Sequence, residues 1–587
     1  MKNRIYMLLI TAVIFSVQVY TQNIVPVHSD VSPNEGGLNV AIQAAIDAGT
    51  LSNTIFQLDP WGYYILSGTV TVPPNQHLTI VAPEPGLTQE TAPPQIFLSS
   101  QISSWRYNFD IFGDLTMKNV WLIYANTGGA QQSCSMDIDD DTLRHTNNVE
   151  FEGVIFDYAP INGSVEIRCT NFTGKFTNCY WRNNIDPHYR YYGRAISYPY
   201  QSTTWHTNKV SFVNCTMANM GYAYMGYNPG EDTPETADTV SFNHCTFFNM
   251  MMHSLEPSFW EWLSVTNCVY VNPWMYGDIP SGRGGVTGIP PGGALYIDSL
   301  SLAKPAAFPG GLRITEAERH ILFINNSYFI EQWIRDYMDH GNAYSDTASE
   351  LYKPLPTPML NITALRFFDS VDAGTGLKAW PYINKANLYD GDDPGFILEP
   401  TNKDAIKAFL LGRWATGANV DWAYDIQSDL QGSWPMNEDL SYTNSTLQTA
   451  GLGGFPLGDL YHWWPTQYTT WKAQEATENQ TISSLLTNGL VGVKMQPGIP
   501  AKYELTQNYP NPFNPTTQID YSVPQSGYVS LKVYNLLGQE VTTLFNGVLQ
   551  PGNYTATFNG KGLASGVYLY RLQAGSVSIT RKLVLMK

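Results

Sequence analysis

A short run of aspartates is the densest acidic group in the chain and could bind a metal ion. Asp137, Asp139, Asp140 and Asp141 supply the carboxylate oxygens that Ca²⁺ prefers. The run lacks the glycine and the closing glutamate of a calcium-binding loop, and charged runs in loops are usually just solvated. Asp137, Asp139 and Asp141 are therefore metal candidates, and Ca²⁺ is the cofactor that they would favour.

Acid and base groups that could cleave a bond by proton transfer are present but scattered. Such cleavage needs a base beside the bond, or two carboxyl groups on either side of it. The available groups are Arg182, Arg190, Arg194, His188, His206, His253 and Glu256. None of them stands in a motif that matches a known catalytic set. We assign no catalytic residue.

Aromatic residues cluster in two nearby stretches and could stack on sugar rings. The stacking candidates are Tyr189, Tyr191, Tyr192, Trp205, Tyr222 and Tyr224. Aromatic-lined grooves bind ligands in this way, but aromatic side chains in loops also pack against the walls that support them. The sequence favours neither alternative.

All of these candidates lie in an internal repeat, which must position them. Aligned copies between Leu115 and Tyr328 place one polar turn residue in a column, namely Asn119, Gly153, Asn178, Asn214, His244, Asn267 and Asn325. The next column holds Val120, Val154, Cys179, Cys215, Cys245, Cys268 and Asn326. The last interval is long enough to hide a degenerate copy near Ala294 to Ile297.

Within most copies apolar and polar residues alternate, as at Val240, Ser241 and Phe242, and this is strand periodicity. A repeated unit of strand, asparagine and strand cannot bury its inner face alone, so successive coils must stack. Stacked asparagine side chains can then hydrogen-bond from coil to coil. The pattern predicts a parallel β-helix, an all-β solenoid.

The repeat resembles the right-handed parallel β-helix of the pectin-lyase-like superfamily, and we assign residues 22–344 to it. Leu38, Ile42 and Ala45 fall at helical spacing and predict an N-terminal helix over Gly37 to Ala48. Such a helix would cap the open apolar end of the solenoid. The resemblance implies an extracellular polysaccharide as the partner, although fold alone does not fix function. If the chain is an enzyme, the resemblance implies a polysaccharide lyase or a glycoside hydrolase, and whether it is an enzyme is left open.

Four of the six cysteines share one repeat column. An even count in an exported chain suggests disulfides. Stacked coils lie about 4.8 Å apart with parallel side chains, however, and this arrangement disfavours the geometry of the bond. We expect buried free thiols that pack as small apolar residues.

The repeat fades after residue 344. Residues 345–489, rich in Pro, Gly, Asp and Trp, are interpreted as an irregular region that caps the C-terminal end of the β-helix, with one helix from Asp404 to Arg413. Its most distinctive segment, Gly453 to Pro465, resembles one that closes many surface β-helix proteins of Bacteroidota. Residues 490–502 are predicted to be a linker.

The last segment, residues 503–587, carries four characteristic stretches that begin at Tyr509, Val533, Leu563 and Arg581. They resemble the type A C-terminal sorting domain of the type IX secretion system, found in Bacteroidota and Ignavibacteria-like bacteria. Alternating strands separated by Gly and Pro turns predict a small β-sandwich. The resemblance implies the type IX secretion machinery as a partner and an extracellular or outer-membrane surface location in a Gram-negative bacterium.

Charge and hydropathy limit the remaining possibilities. Lys and Arg number 32 against 50 Asp and Glu, a formal net charge of −18, which argues against nucleic acid as a partner. Residues 1–21, with Lys2 and Arg4 before an apolar run, predict a signal peptide. No other long apolar run exists, so we expect no transmembrane span in the mature chain.

Two functions follow from these observations. The first is an exported β-helix protein that binds or cleaves an extracellular polysaccharide. The second is a non-enzymatic structural protein of the cell envelope. A screen of the mature chain against polysaccharides, for binding and for cleavage products, separates them.

Overall fold

A computed structural model gives the fold of the chain. It describes residues 22–30, 34–139, 147–160, 163–186, 193–198, 206–225, 236–252, 254–256, 259–277, 293–295, 297, 315–339, 356–372, 374, 378–400, 402–416, 434–489, 494–496, 502–524, 527–549, 552–575 and 577–586. The predicted signal peptide, residues 1–21, lies outside the described residues.

The strands wind into a right-handed parallel β-helix, which confirms the predicted fold class. Each full coil contributes one strand to each of three parallel sheets. The first sheet consists of Val70–Val72, Tyr107–Ile111, Ser135–Asp139, Gly163–Arg168, Arg194–Ser197, Tyr222–Met225 and Leu255–Glu256.

The second and third sheets meet at a sharp corner in every coil. The second sheet consists of Asn23–Val27, Thr54–Leu58, His77–Val81, Asp114–Lys118, Asn148–Glu152, Phe172–Thr177, His206–Val213, Thr236–Asn243 and Phe259–Thr266. The third consists of Tyr63–Leu66, Gln95–Leu98, Trp121–Asn126, Ile155–Asp157, Tyr180–Asn184, Thr216–Met220, Thr246–Met250 and Val269–Val271. His320–Phe329 and Ile383–Asp390 each run through the corner as one strand.

The corner is made by the repeat's asparagine column. Asn119, Asn214 and His244 all have φ between 51° and 57°, a left-handed conformation that asparagine and glycine adopt more readily than other residues. The side chains also form the expected ladder, because Asn325 Nδ2 donates to Asn267 Oδ1 at 3.1 Å and Asn387 Nδ2 donates to Asn325 Oδ1 at 2.8 Å. These hydrogen bonds satisfy buried amides of the last coils from one coil to the next.

Aromatic and sulfur ladders fill the interior of the coils. The rings of Phe176, Phe212 and Phe242 stack with centroids 4.9 and 4.5 Å apart. All six cysteines are buried and free, and the expected column of Cys179, Cys215, Cys245 and Cys268 is confirmed. Like residues stacked above like residues give each coil the packing partner that it lacks alone.

Both ends of the solenoid differ from its middle. Helix α1 (Gly37–Asp47) buries Leu38, Ile42 and Ala45 against the first coils, as predicted. At the other end the sheets extend beyond the expected limit at residue 344, because Ile321 pairs with Ile383 and Leu295 bridges both Leu255 and Leu360. The bridges place Leu295 in the first sheet, where a degenerate copy near Ala294 is predicted, and the parallel pairing continues past residue 344 after long connections.

Residues 434–489 lie along the sides of the coils and do not simply close one end. Tyr468 accepts a hydrogen bond from Asn178, and Leu460 N donates to Asn214 Oδ1. Glu478 contacts His244 at 3.3 Å, and Leu452 N donates to Asn267 Oδ1. The distinctive segment from Gly453 to Pro465 is thus held by the asparagine corner of successive coils and covers parts of the second and third sheets.

Up to residue 489, the remaining elements outside the three parallel sheets are six helices, one antiparallel strand pair and several 3₁₀ turns of the described residues. The helices are α2 (Gln332–Asp339), α3 (Ile362–Asp369), α4 (Lys403–Thr416), α5 (Leu460–Trp463), α6 (Pro465–Lys472) and α7 (Glu475–Asn488), and Phe396–Leu398 pairs antiparallel with Asp439–Tyr442. Single 3₁₀ turns occur at Leu51–Asn53, Gln89–Thr91, Glu316–Glu318, Leu447–Thr449 and Leu452–Gly454. The helix predicted from Asp404 to Arg413 is confirmed as α4.

The C-terminal residues form two four-stranded antiparallel sheets around a separate core, as the strand pattern predicted. One sheet holds Lys494–Gln496, Glu504–Leu505, Thr516–Val523 and Gly552–Asn559. The other holds Gly527–Tyr534, Glu540–Leu549, Gly566–Ala574 and Val577–Leu585. Lys494–Gln496 lies in the predicted linker, 490–502, and pairs with Gly552–Asn559.

Candidate functional site

Carboxylates collect on the outer face of the first sheet. Asp110 pairs in register with Asp137, and Asp137 pairs with Glu166. Their neighbours Ile111, Ile138 and Ile167 are fully buried in the core, so alternation along each strand turns the acidic side chains outward. Asp139 pairs with Arg168 one step further along. We call Asp110, Asp137, Asp139, Glu166 and Arg168 the acidic face.

One arginine partly balances this charge. Arg168 Nε lies 3.1 Å from Asp137 Oδ1, and Arg168 Nη2 donates to Glu166 Oε2 at 2.7 Å. The ring of Tyr107 lies beside this pair, with its centroid 5.3 Å from the Arg168 guanidinium and 5.0 Å from that of Arg106. Within the acidic face Arg168 therefore contacts two of the four carboxyl groups, and the charge of Arg106 also opposes the rise in the pKa of Asp110.

Three of the carboxyl groups are close enough to bind one cation. One oxygen of each of Asp110, Asp137 and Asp139 lies within 4.8 Å of the others. Oxygen atoms of this kind suit Ca²⁺. The sequence predicted Asp137 and Asp139 as metal candidates, and the structure brings them together, whereas the third candidate, Asp141, lies outside the described residues. Asp110 was missed because it stands one coil earlier, and only the strand register brings it near.

Burial and mutual repulsion make these carboxyl groups hard to ionise. The pKa of Asp137 is raised to about 8, mainly by burial; Arg168 opposes the rise, and Asp139, Glu166 and Asp110 add to it. Burial also raises the pKa of Asp110 to about 6, with Asp139 adding to the effect. A divalent cation would remove both causes, because it replaces lost solvation and compensates the repulsion.

The aromatic stacking candidates divide into two groups. Tyr222 and Tyr224 lie on the first sheet but are only 3% and 1% exposed. The Tyr224 ring contacts Tyr198 and Trp260, with centroids 6.3 and 6.0 Å away. These two rings pack in the wall of the described structure. The other four candidates, Tyr189, Tyr191, Tyr192 and Trp205, lie outside the described residues, and the stacking role of the set stays a prediction.

Comparison with known proteins identifies one end of the chain. Residues 507–586 match the family described as the secretion system C-terminal sorting domain. No curated protein matches the chain. The sorting domain supports export by the type IX secretion machinery to the cell surface or the extracellular space. Among the helices of the described residues, none combines the length and the apolar character that crossing a membrane requires.

Proposed function

We propose that this chain is an exported β-helix protein that binds an extracellular polysaccharide across the acidic face. The observation that carries the proposal is the register of Asp110, Asp137 and Glu166, which places three carboxyl groups in one outward column. The coil pattern resembles the pectin-lyase-like superfamily. Both the resemblance and the position of this column of carboxyl groups favour an extracellular polysaccharide as the partner.

A column of buried carboxyl groups lowers the stability of the fold when no ligand is bound. Buried carboxyl groups that share one guanidinium are less favourable than apolar or amide side chains in the same place. The asparagine corner of the same coils shows that this fold can satisfy a polar column with neutral amides, as in the bond from Asn325 to Asn267. Strongly raised pKa values in such a cluster are typical of functional sites.

Each group has a role that its exposure allows. Asp110 and Asp139 are half-buried and can accept hydrogen bonds from sugar hydroxyls. Asp137 is only 1% exposed, so it would contribute through its neighbours and not by direct contact with the sugar. Ca²⁺ bound by these three aspartates would also attract the carboxylates of acidic sugars. Such mediation matters because the chain's formal net charge of −18 repels polyanions.

Binding is favoured over cleavage. A glycosidase needs one carboxyl group to donate a proton to the bond and a second to act across the sugar. Asp137 has the raised pKa of a proton donor, but its side chain is almost closed to solvent. A reacting sugar could not come within hydrogen-bond distance of it without a rearrangement, so we assign no catalytic role.

The test is a binding screen of the purified chain against neutral and acidic polysaccharides, with and without Ca²⁺. The double variant Asp110→Asn/Asp139→Asn should lose at least tenfold in affinity for any glycan that the wild type binds. Glu150→Gln is the matched control, because Glu150 is a carboxylate on the second sheet, paired with Lys175 at 2.8 Å. Equal affinity of the double variant and the control would contradict the proposal.

The same screen tests the alternative function, a non-enzymatic structural protein of the cell envelope. If the wild-type chain binds no polysaccharide under either condition, the structural envelope protein is the better description. The burial of Tyr222 and Tyr224 favours that alternative, since neither ring is available for stacking in the described structure. A search for new reducing ends and for unsaturated products in the same samples tests cleavage.

A further inference from the structure

Two adjacent leucines of the C-terminal sandwich project into solvent. Leu536 is 69% exposed and Leu537 is 84% exposed, whereas Leu531 and Leu572 on the sandwich's strands are fully buried. Single exposed apolar residues are common on protein surfaces, but two consecutive large ones at the end of a hairpin bury little apolar area on folding. We call Leu536 and Leu537 the leucine tip.

The turn that carries the leucine tip is closed by hydrogen bonds. Asn535 Oδ1 accepts from Leu537 N and from Gln539 N, both at 3.0 Å. Asn535 N donates to Gln539 O, and Gly538 N donates to Asn535 O. Gly538 has φ of 78°, a conformation that favours glycine. The loop is therefore held in one shape, and the leucines are exposed by a defined turn between Gly527–Tyr534 and Glu540–Leu549.

A fixed turn lowers the entropy that a partner must remove on binding. Exposed apolar side chains at such a site supply the desolvation energy of an interface. The domain that displays them matches the secretion system C-terminal sorting domain, so the class of partner that must contact it is the secretion machinery. The polysaccharide proposal concerns the acidic face of the β-helix and is independent of this surface.

We propose that the leucine tip is a docking site for the type IX secretion machinery, in which a hydrophobic pocket of the machinery takes up both leucine side chains. The machinery binds the leucine tip after the sandwich has folded. Loss of the two side chains should therefore block export without changing the fold.

The test is an export assay on the full chain in a bacterium with a type IX system. The variant Leu536→Ser/Leu537→Ser should fall at least tenfold in the culture supernatant and outer-membrane fraction and accumulate in the periplasm. Tyr528→Ser is the matched control, since Tyr528 is 56% exposed at the other end of the same strand. It should be exported like the wild type. Leu536→Ile/Leu537→Ile should restore most of the export, because it restores the apolar surface.

Thermal unfolding of the purified full-length variants completes the design. The serine double variant should melt with the wild type, because removing exposed side chains leaves the core intact. Normal export of the serine variant would overturn the proposal. A serine variant that melts clearly below the Tyr528→Ser control would overturn it as well, because the leucines would then be shown to support the fold and not a partner.

Discussion

Arg168 Nε lies 3.1 Å from Asp137 Oδ1, and both side chains are largely closed to solvent, at 11% and 1% exposed. The same guanidinium donates to Glu166 at 2.7 Å. Arg168 therefore holds two carboxyl groups of neighbouring coils and connects the strands of the acidic face. Removal of Arg168 therefore exposes the repulsion between the two carboxylates that it contacts.

The first prediction follows from this contact. Arg168→Met should lower the free energy of unfolding by about 3–5 kcal/mol at high pH, where Asp137 is ionised, because a buried charge loses its partner. The loss should be smaller at pH 6, since Asp137 with a pKa of about 8 is then largely protonated. Urea denaturation at both pH values measures it. Lys175→Met, which breaks an exposed pair, should cost no more than about 1 kcal/mol; equal losses in both variants would contradict the prediction.

The second prediction concerns the pH dependence of stability. Asp137 has a pKa of about 8 in the folded chain against an ordinary value of 3.8, so the folded chain binds more protons between those values. Stability should therefore be greatest at low pH for this group and fall as the pH rises through 8. Asp137→Asn removes this dependence, and its stability relative to the wild type should increase from pH 5 to pH 8 in denaturant titrations.

A group with the opposite shift provides the control for this experiment. The hydrogen bond from Lys175 lowers the pKa of Glu150, so Glu150 stabilises the fold above its ordinary pKa and loses that effect as the pH falls. Glu150→Gln should therefore lose stability relative to the wild type at neutral pH and less at acid pH. If Asp137→Asn and Glu150→Gln changed with pH in the same direction, the assignment of the Asp137 pKa would be wrong.

The repeat made the fold predictable from sequence, but it did not make the acidic face predictable. Asn119 and Asn267 stand in an aligned column, and a column implies stacking whatever lies between its members. Asp110 and Asp137 belong to the first sheet, whose strands follow connections of variable length and carry no shared phrase. Sequence spacing therefore could not show that they are adjacent. Asp137 and Asp139 were found only because they are neighbours along the chain.

The path of residues 434–489 over the coils could also not be predicted from the sequence. The segment from Gly453 to Pro465 was expected to cap one end, since an aromatic cluster after a solenoid is typical of a cap. Its backbone instead donates to corner side chains, as Leu460 N does to Asn214. Such contacts join residues that are far apart in sequence and follow no local pattern.

The third prediction concerns the cysteine column. Burial raises the pKa of Cys179, Cys215 and Cys245 well above that of an exposed thiol, and the thiolate is the reactive form. A thiol reagent at pH 8 should therefore leave these thiols unmodified in the native chain and titrate all six cysteines after denaturation. Fewer thiols in the denatured, unreduced chain would show that disulfides form in this column, against the structure.

The last prediction separates packing from sugar binding at Tyr224. Its ring is 1% exposed and lies between Tyr198 and Trp260, so its truncation leaves a cavity in the wall of the coils. Tyr224→Ala should therefore lower the free energy of unfolding by about 3–5 kcal/mol, as for other large buried aromatic residues. The remaining folded chain should bind any glycan ligand of the wild type with unchanged affinity. Denaturant titration and a binding isotherm on the same sample measure both quantities. If Tyr224→Ala instead kept its stability and lost at least tenfold in affinity, the ring would be a sugar-stacking residue, and the binding surface would have to extend from the acidic face to the strand Tyr222–Met225.

Tyr191→Ala is the companion variant, because Tyr191 belongs to the same predicted set. A loss of affinity in that variant alone would keep the stacking hypothesis for Tyr191 while leaving Tyr224 as part of the packed wall.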